Sequence, residues 1–456
     1  MPDTTGSTLH VEIPAHGHAA LDALEKAGFE AWCVGGFVRD SLMGRSPADF
    51  DLASSALWSD AKHALERRGF IVRETGTAHG TITAVLGGRA LEVTTYRTDG
   101  AYSDARRPDS VSFVRTIEED LARRDFTINA LAYHPERGLI DPYGGRDDIE
   151  AGIIRTVGEA HRRFSEDALR MLRACRFVST LGFSLEETTY QAMLEEKTRM
   201  VGLAAERVTA ELHELLLGEH VHDALMGTVD VLAAVLPELT AMKDFDQKTP
   251  YHIYDVLEHT AWVVQHTRPE PLVRWAALFH DIGKPAAFFQ KGDVGHFYGH
   301  ARVSCLIARG VMTRLALSPT FQKNVLELVR VHDDPISPTS KEVKRALRRM
   351  NGNAELFRTL CDLKRADALS QAPHCHPRAE LANELERMLD DVLAADEAFS
   401  IAKLAIDGNA VMAGGVAQGP DVGAALEAAL DAVIEGAVPN ERDALAAFVE
   451  EWAERR

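Results

Sequence analysis

The sequence is short of cysteine, of long apolar runs and, over one long stretch, of lysine. Five cysteines (Cys33, Cys175, Cys305, Cys361, Cys375) are scattered through 456 residues, with no C-x-x-C pair. That pattern excludes a disulfide framework and points to reduced thiols in a cytoplasm. No apolar run reaches the roughly 18 residues of a membrane helix, so no transmembrane span is expected. Met1 to Pro14 lacks the basic-then-apolar pattern of a signal peptide and reads as a flexible tail. Positive charge is also scarce: 50 Lys and Arg stand against 69 Asp and Glu, a net charge of −19 that weighs against a nucleic-acid partner. The deficit is uneven, because the acidic surplus of Glu380 to Glu454 accounts for much of it. Between Lys62 and Lys197 there is no lysine, only arginine, in near balance with acids. The planar guanidinium fork suits phosphates and base edges. GC-rich codon usage produces the same bias.

What is present is the composition of a soluble globular chain, 46% hydrophobic and 26% charged, long enough for two to four domains. The informative stretch is Val34 to Ala56. Gly35 and Gly36 follow a short apolar run, Ala31 to Val34, that suits a strand, and a helix opens from Phe37. Its N-terminal amides suit phosphates. Asp49 and Asp51 flank Phe50, and on a strand the period of two puts both carboxylates on one face. Paired carboxylates call for a cation, so the stretch reads as a Mg²⁺ site beside a glycine phosphate cradle, against the alternative of a solvated D-x-D. Thr81 to Leu86 and Ala90 to Thr95 form a hairpin pattern around Gly87-Gly88, with Glu92 as a third carboxylate or simply a solvent-facing acid. Tyr96 to Phe113 has no apolar period and reads as a mobile loop. Asp125 and Asn129 are spaced to share a helix face, as are Asp167 and Arg170 within Ser165 to Phe177. Each pair reads either as a solvated or salt-bridged face, or as groups aimed at a sugar and a base.

The Gly-Gly/D-x-D stretch, R-R-D-F-T-I-N-A-L, D-P-Y-G-G and S-E-D-A-L-R-M-L-R-A-C-R-F occur here in the order seen in bacterial class II tRNA nucleotidyltransferases. From about residue 30 to 220 the chain resembles that family, which contains CCA-adding enzymes and bacterial poly(A) polymerases. The resemblance implies that Asp49 and Asp51, with Glu92, hold the metal. It implies nucleotide binding by Gly35, Gly36 and Arg39, and a triphosphate and ribose site at Arg124, Asp125 and Asn129. Asp167 and Arg170 correspond to the pair that reads the Watson–Crick edge of CTP or ATP. Glu166 and Arg173 correspond to residues that orient that pair, Arg176 to a phosphate contact, and Glu206-Arg207 to a helix-stabilising motif.

A second constellation runs from Tyr251 to Ala286. His259 lies in one apolar helix pattern, and a second ends in F-H-D-I-G-K-P, with Gly283 and Pro285 terminating it. His259, His280 and Asp281 suit a divalent transition metal and resemble the HD phosphohydrolase superfamily. That resemblance implies Asp367 as a further ligand, and His300 and His332 as ligands of a two-metal variant. His296, His374 and His376 read as surface residues. Lys341 to Arg349 concentrates positive charge, either for phosphates or as a solvated helix face. From Leu404 onward the sequence resembles the tail of the same enzymes.

The expected architecture is therefore α+β. A mixed-sheet nucleotidyltransferase head (17–140) precedes an all-α neck (141–225), a body with the HD unit (226–385) and a tail (386–456). The expected activity is Mg²⁺-dependent addition of CMP and AMP to the 3′ end of tRNA, with tRNA, CTP and ATP as partners and no membrane. Three rivals stand beside it. One is a poly(A) polymerase, whose basic G-[RK]-R-F-type element is missing here. Another is a CC-only or A-only enzyme, and the third an HD phosphohydrolase with an RNA-binding head.

Overall fold

Strand β1 (Ala31–Val34) is apolar at every position because both of its faces are covered. Ala31 and Cys33 point into one hydrophobic cluster with Leu24, Leu52 and Leu65, while Trp32 and Val34 point into another with Tyr96, Ile117 and Leu121. This computed structural model describes residues 11–47, 49–99 and 111–455. The chain divides into two units, Met1–Leu215 with Thr228–Val235, and Leu216–Gly227 with Leu236–Arg456.

In the first unit, α1 (Ala15–Lys26), β1, α2 (Gly36–Leu42), β2 (Asp51–Ser54), α3 (Trp58–Glu66), β3 (Ile71–Gly76), β4 (Thr81–Leu86) and β5 (Arg89–Thr95) follow one another. After β6 (Arg97–Asp99) and β7 (Val111–Phe113) come α4 (Ile117–Ala122), β8 (Ala132–His134), β9 (Gly138–Ile140) and α5 (Gly145–Ala151). The seven-stranded sheet has the order β3-β4-β5-β2-β1-β8-β9. Its one parallel pairing is β2 with β5, in a register that sets Asp51 beside Glu92. Beyond the sheet lie β10 (Ile153–Ile154), α6 (Ala160–Glu166), α7 (Leu169–Leu181), β11 (Ser184–Leu185), α8 (Glu187–Glu196) and α9 (Ala205–Leu217). The boundary between the units falls within α9 and within α10 (Val221–Leu232).

The second unit is helical apart from the small ribbon β12 (Phe289–Lys291) and β13 (Val294–His296). Its helices are α11 (Val256–His266), α12 (Pro271–Phe279), α13 (Lys284–Ala287), α14 (His300–Arg314), α15 (Pro319–Val331), α16 (Ser340–Arg349), α17 (Ala354–Leu369) and α18 (Pro377–Ala394). The last three are α19 (Gly408–Ala413), α20 (Pro420–Glu435) and α21 (Arg442–Glu454). A mixed sheet followed by helices is the expected α+β class. No helix among the described residues is long and apolar enough to cross a membrane.

Several local expectations need correction. Asp125 and Asn129 do not share an α-helix: α4 ends at Ala122, Phe126 is extended and bridges Thr156, and only Thr127–Asn129 turns, as a 3₁₀ helix. The helix expected from Ser165 to Phe177 is broken at Asp167, whose φ of −143° and ψ of 106° separate α6 from α7. Gly283 and Pro285 do not end α12, which stops at Phe279; they open α13 instead. Of the supposed tail, Val11 and Ile13 are core residues. The ends of the supposed Tyr96–Phe113 loop are strands, β6 pairing with β7, and Tyr96 is buried. Its middle, 100–110, lies outside the described residues.

Candidate nucleotide and metal sites

In the first unit a cleft of about 570 Å³ opens at the ends of β1 and β2. Gly35 ends β1 with φ +69°, a left-handed backbone that favours glycine, and the end of the Arg124 side chain packs where a Cβ would stand, 2.8 Å away at Nη1. Asp49 and Asp51 face the cleft while Phe50, between them, is buried against Phe37. Glu92 lies beside Asp51 across the parallel pair. Burial, then the charge of Glu92, push the Asp51 carboxyl up to about 6, with Arg124 opposing and Asp49 adding to the rise. Three neighbouring carboxylates with oxygen donors only fit a hard divalent cation.

The same cleft is lined by seven arginines, Arg39, Arg123, Arg124, Arg170, Arg173, Arg176 and Arg207. So many guanidiniums around one cleft suit a polyanion, while most of them also hold an acid of the protein. Arg39 donates to Asn129 Oδ1 at 2.7 Å, and Asn129 Nδ2 donates to Asp125 Oδ1 at 3.1 Å. Arg173 Nε donates to Asp125 Oδ2 at 2.7 Å. Burial alone would raise Asp125, but the Arg173 charge and these hydrogen bonds hold it well below the ordinary carboxylate range. Arg173 thus orients Asp125 rather than the Asp167–Arg170 pair. Arg176 pairs with Glu211 at 2.7 Å while still lining the cleft. Its guanidinium lies 4.3 Å from the centre of the Phe177 ring, which also meets Arg39 and Arg173 within 6 Å.

Asp167 and Arg170 line the cleft without bonding each other's side chain. Asp167 Oδ1 accepts the Leu169 amide at 3.0 Å, and Oδ2 accepts Arg207 Nη2 at 2.8 Å. Arg170 donates to Glu166 Oε2 at 2.7 Å and to the carbonyls of Arg163 and Arg123 at 3.0 Å each. Those contacts occupy three of its five N–H groups and leave two for a ligand. Glu166 orients Arg170, as the resemblance implied. Arg207 belongs to the site in a way the sequence reading missed: it holds Asp167 in its extended conformation. The signal available was Asp167 itself, an N-cap residue type ahead of an apolar helix.

The second unit holds a different centre. His259 (α11), His280 (just after α12) and Asp367 (α17) form one cluster. Asp281, His300 (start of α14) and His332 (just after α15) form another. Asp281 joins them: Oδ2 lies 3.3 Å from His259 Nε2 and 3.1 Å from His280 Nε2, and Oδ1 lies 3.3 Å from His300 Nε2. Asp367 Oδ1 is 3.1 Å from His259 Nε2. Every one of the four histidines turns Nδ1 to a backbone carbonyl, of Ser370, Ala277, Phe297 and Val329 respectively. That fixes the tautomer and leaves Nε2 lone pairs facing one another at 3.4 Å (His259, His280) and 3.2 Å (His300, His332). Oδ1 of Asp281 is buried and has no hydrogen-bond donor. Lone pairs converging on carboxylates are unfavourable unless cations lie between them, so these residues fit divalent metals. Without one, burial disfavours a charged His259, yet hydrogen bonds to Asp281 and Asp367 push its pKa up to about 9. Gly283 permits the geometry, since a Cβ there would lie 2.4 Å from the Ser304 amide of α14. The head acids form no cluster this tight among the described residues.

A cleft of about 690 Å³ leads to this centre. Buried Lys284 reaches Asp281 Oδ2 at 2.6 Å and Gln247 Oε1 at 2.8 Å. His296, expected on the surface, lines the cleft and stacks on Tyr298, with ring centres 5.3 Å apart and planes 7° from parallel. Lys284, Tyr298 and His252, which lines the same cleft 3.3 Å from Lys284 Nζ, went unread because nothing in their local sequence sets them apart. His374 and His376 are exposed.

Family models match three stretches of the chain. They are described as the poly A polymerase head domain (residues 31–155), a probable RNA- and SrmB-binding site of polymerase A (182–243) and the HD domain (250–372). A CCA-adding enzyme of Geobacillus kaustophilus is 49% identical over 219 residues, 48% of this chain and 53% of the relative. The chain thus spans about half of that relative's length. A CCA-adding enzyme of Leuconostoc mesenteroides is 32% identical over 433 residues, 95% of each chain. Among solved structures, the Bacillus stearothermophilus CCA-adding enzyme in complex with CTP aligns over 96% of each chain, at 31% identity and a TM-score of 0.73. The Thermotoga maritima CCA-adding enzyme complexed with tRNA shares the fold, at 19% identity and a TM-score of 0.56.

Proposed function

Because the chain belongs to the CCA-adding enzyme family of tRNA nucleotidyltransferases, we propose that it adds CMP and AMP to the 3′ end of tRNA without a nucleic-acid template. The observation that carries this reading is the convergence of Asp49, Asp51, Asp167, Arg170 and the other arginines on one cleft. Residues 17–140 are the catalytic head, 141–225 the neck, 226–385 the body and 386–456 the tail of a cytoplasmic enzyme. Asp49, Asp51 and Glu92 would hold Mg²⁺, which acidifies the tRNA 3′ hydroxyl and neutralises the leaving pyrophosphate.

The remaining work falls to side chains. Gly35 and Gly36 let the backbone approach the triphosphate, and Arg39, Arg124 and Arg176 neutralise it. Asp125 and Asn129, fixed by Arg173 and Arg39, meet the ribose. Asp167 accepts from an exocyclic amine and Arg170 donates to a ring nitrogen, a pattern that C and A share. G and U present a carbonyl where the amine should be, so Asp167 loses that donor and faces a second acceptor, at a cost of about 1–3 kcal/mol. The test is incubation with tRNA trimmed of its last three nucleotides, Mg²⁺ and labelled CTP and ATP. Two C and one A per tRNA is the expected product. Long A tails would replace this reading with a poly(A) polymerase, and CC or A alone with a partial enzyme.

A second activity rests on Asp281 and its two histidine pairs. The HD centre would hold two divalent transition metals that activate water against a terminal or 2′,3′-cyclic phosphate. Water adds at phosphorus and a ribose hydroxyl leaves. Release of phosphate, or opening of the cyclic ester, by the metal-loaded protein tests it. A chain inert toward both leaves the HD unit without a hydrolase role.

A further inference from the structure

The HD cleft adjoins a groove of about 710 Å³ between α14 and α15, Gly299 lining both. Its walls carry Arg302 and Arg309 from α14, and Lys323 and Arg330 from α15, against one acid, Glu327. Seven residues separate the cations on each helix, so like charges stand about two turns, or roughly 10 Å, apart along each wall. Arg330 is paired with Glu327. Arg302, Arg309 and Lys323 are exposed and make no ion pair among the described residues. The contrast with α16 is informative. That helix has the denser run of positive charge, but Lys341 and Arg345 meet Glu435, Lys344 meets Glu397, Arg348 meets Asp431 and Arg349 meets Asp334. In a chain of net charge −19, a groove that keeps three cations unneutralised is built for an anion. Its floor is apolar, with Cys305 and Leu326, and suits the faces of bases. At its HD end stands the His296–Tyr298 stack, with Tyr298 78% exposed, a platform for an aromatic ring.

We propose that the α14–α15 groove is a phosphate track that seats a single-stranded RNA 3′ segment and delivers its end to the HD centre. The substrate of that centre is then a polynucleotide terminus rather than a free mononucleotide. This rests on the hydrolase reading only for the fate of the terminus; binding in the groove stands independently of it. Phosphate contacts supply the affinity and the stacked ring seats the last base.

The test uses the full-length protein, a single-stranded RNA dodecamer ending in a 2′,3′-cyclic phosphate, the matching cyclic mononucleotide and a polyglutamate peptide. Cys305 lies in the groove and is half-buried, whereas the other four cysteines are buried. Its maleimide alkylation therefore reports occupancy of the groove and nothing in the head. The dodecamer should slow Cys305 alkylation at least fivefold, with protection lost as salt rises. The combined Arg302→Ala, Arg309→Ala and Lys323→Ala variant should lose the protection, and the salt slope of RNA binding should fall by about 2, at roughly 0.7 per single-strand phosphate contact. In the hydrolysis arm that variant should raise KM at least tenfold for the dodecamer and leave it unchanged for the mononucleotide. Unprotected Cys305 with RNA, or equal protection by polyglutamate, overturns the track. Protection in a protein that hydrolyses neither substrate keeps the track and removes the hydrolase reading.

Discussion

The two constellations proposed to hold metal differ in their chemistry. In the head, Asp49, Asp51 and Glu92 offer only oxygen; the two aspartates line an open cleft and Glu92 stands beside Asp51 in the sheet. In the HD unit, four histidines and two aspartates from five segments, His280 and Asp281 being neighbours, bring their ligand atoms to within 4.8 Å in each group of three. The tautomer of every imidazole is fixed by a backbone carbonyl. An open carboxylate site suits a cation that arrives with its nucleotide and keeps some water. A buried imidazole site suits a resident transition metal. The difference teaches that divalent metal dependence, common to both domains, is two separate properties in this chain.

The comparison breaks most sharply under Asp51→Ala. Nucleotide addition should fall at least a thousandfold, while the transition-metal content of the protein, measured by elemental analysis, stays at its wild-type value. Asp281→Ala should do the converse, stripping both HD positions of metal; unchanged metal content would dissolve the bridged centre. Next in size is the ion pair of buried Asp125 with Arg173. Asp125→Ala leaves Arg173, a third exposed, with Glu211 as its remaining partner and should cost about 1–3 kcal/mol in denaturant unfolding. Because Asp125 has its pKa depressed in the fold, this stability is fully present above the ordinary carboxylate value and is lost as pH falls toward the folded one. The gap between wild type and Asp125→Asn should therefore narrow below about pH 4. A smaller effect is expected on selectivity: Asp167→Asn should raise misincorporation of U or G relative to C about tenfold to a hundredfold. Retained selectivity would remove Asp167 from base reading.

The smallest effect separates the open site from the closed one by pH. Asp51 has its pKa raised to about 6. The metal-free fold therefore loses stability as pH climbs from the ordinary carboxylate value through 6, and a cation that takes the proton's place recovers it. Added Mg²⁺ should raise Tm by a few degrees more at pH 7.5 than at pH 5. Asp51→Asn should abolish that difference.

How far the sequence was legible follows from how local each feature is. Of the D-x-D expected on a strand, only Asp51 lies in β2. The hairpin carrying Glu92 depends on alternation and on Gly87-Gly88, which a short window contains. The breaks at Phe126 and Asp167 do not. Phe126 is held extended by a bridge to Thr156, and Asp167 by Arg207 forty residues on, so a helical spacing that looked continuous was interrupted from a distance. Charge was misleading for the same reason. Lys341 to Arg349 stands out in the sequence, but acids on and around α20 neutralise it. The unpaired cations of α14 and α15 are dispersed in sequence and become a groove only when the two helices pack. The HD histidines were legible by motif, but their fixed tautomers were not, since each depends on a carbonyl's direction.

The parallel pairing of β2 with β5 also bears on how the molecule comes into being. Parallel neighbours cannot be joined by a tight turn, so Asp51 meets Glu92 only after α3, β3 and β4 have been laid down between them. The head carboxylates are thus separated by a crossover, and the HD ligands span more than a hundred residues, from His259 to Asp367. Such long-range contacts form slowly, because loop closure comes before any reward from pairing. A chain part-way through synthesis therefore carries ligands without sites. Metal capture at either centre becomes a late event, and a direct kinetic marker that the corresponding unit has finished folding.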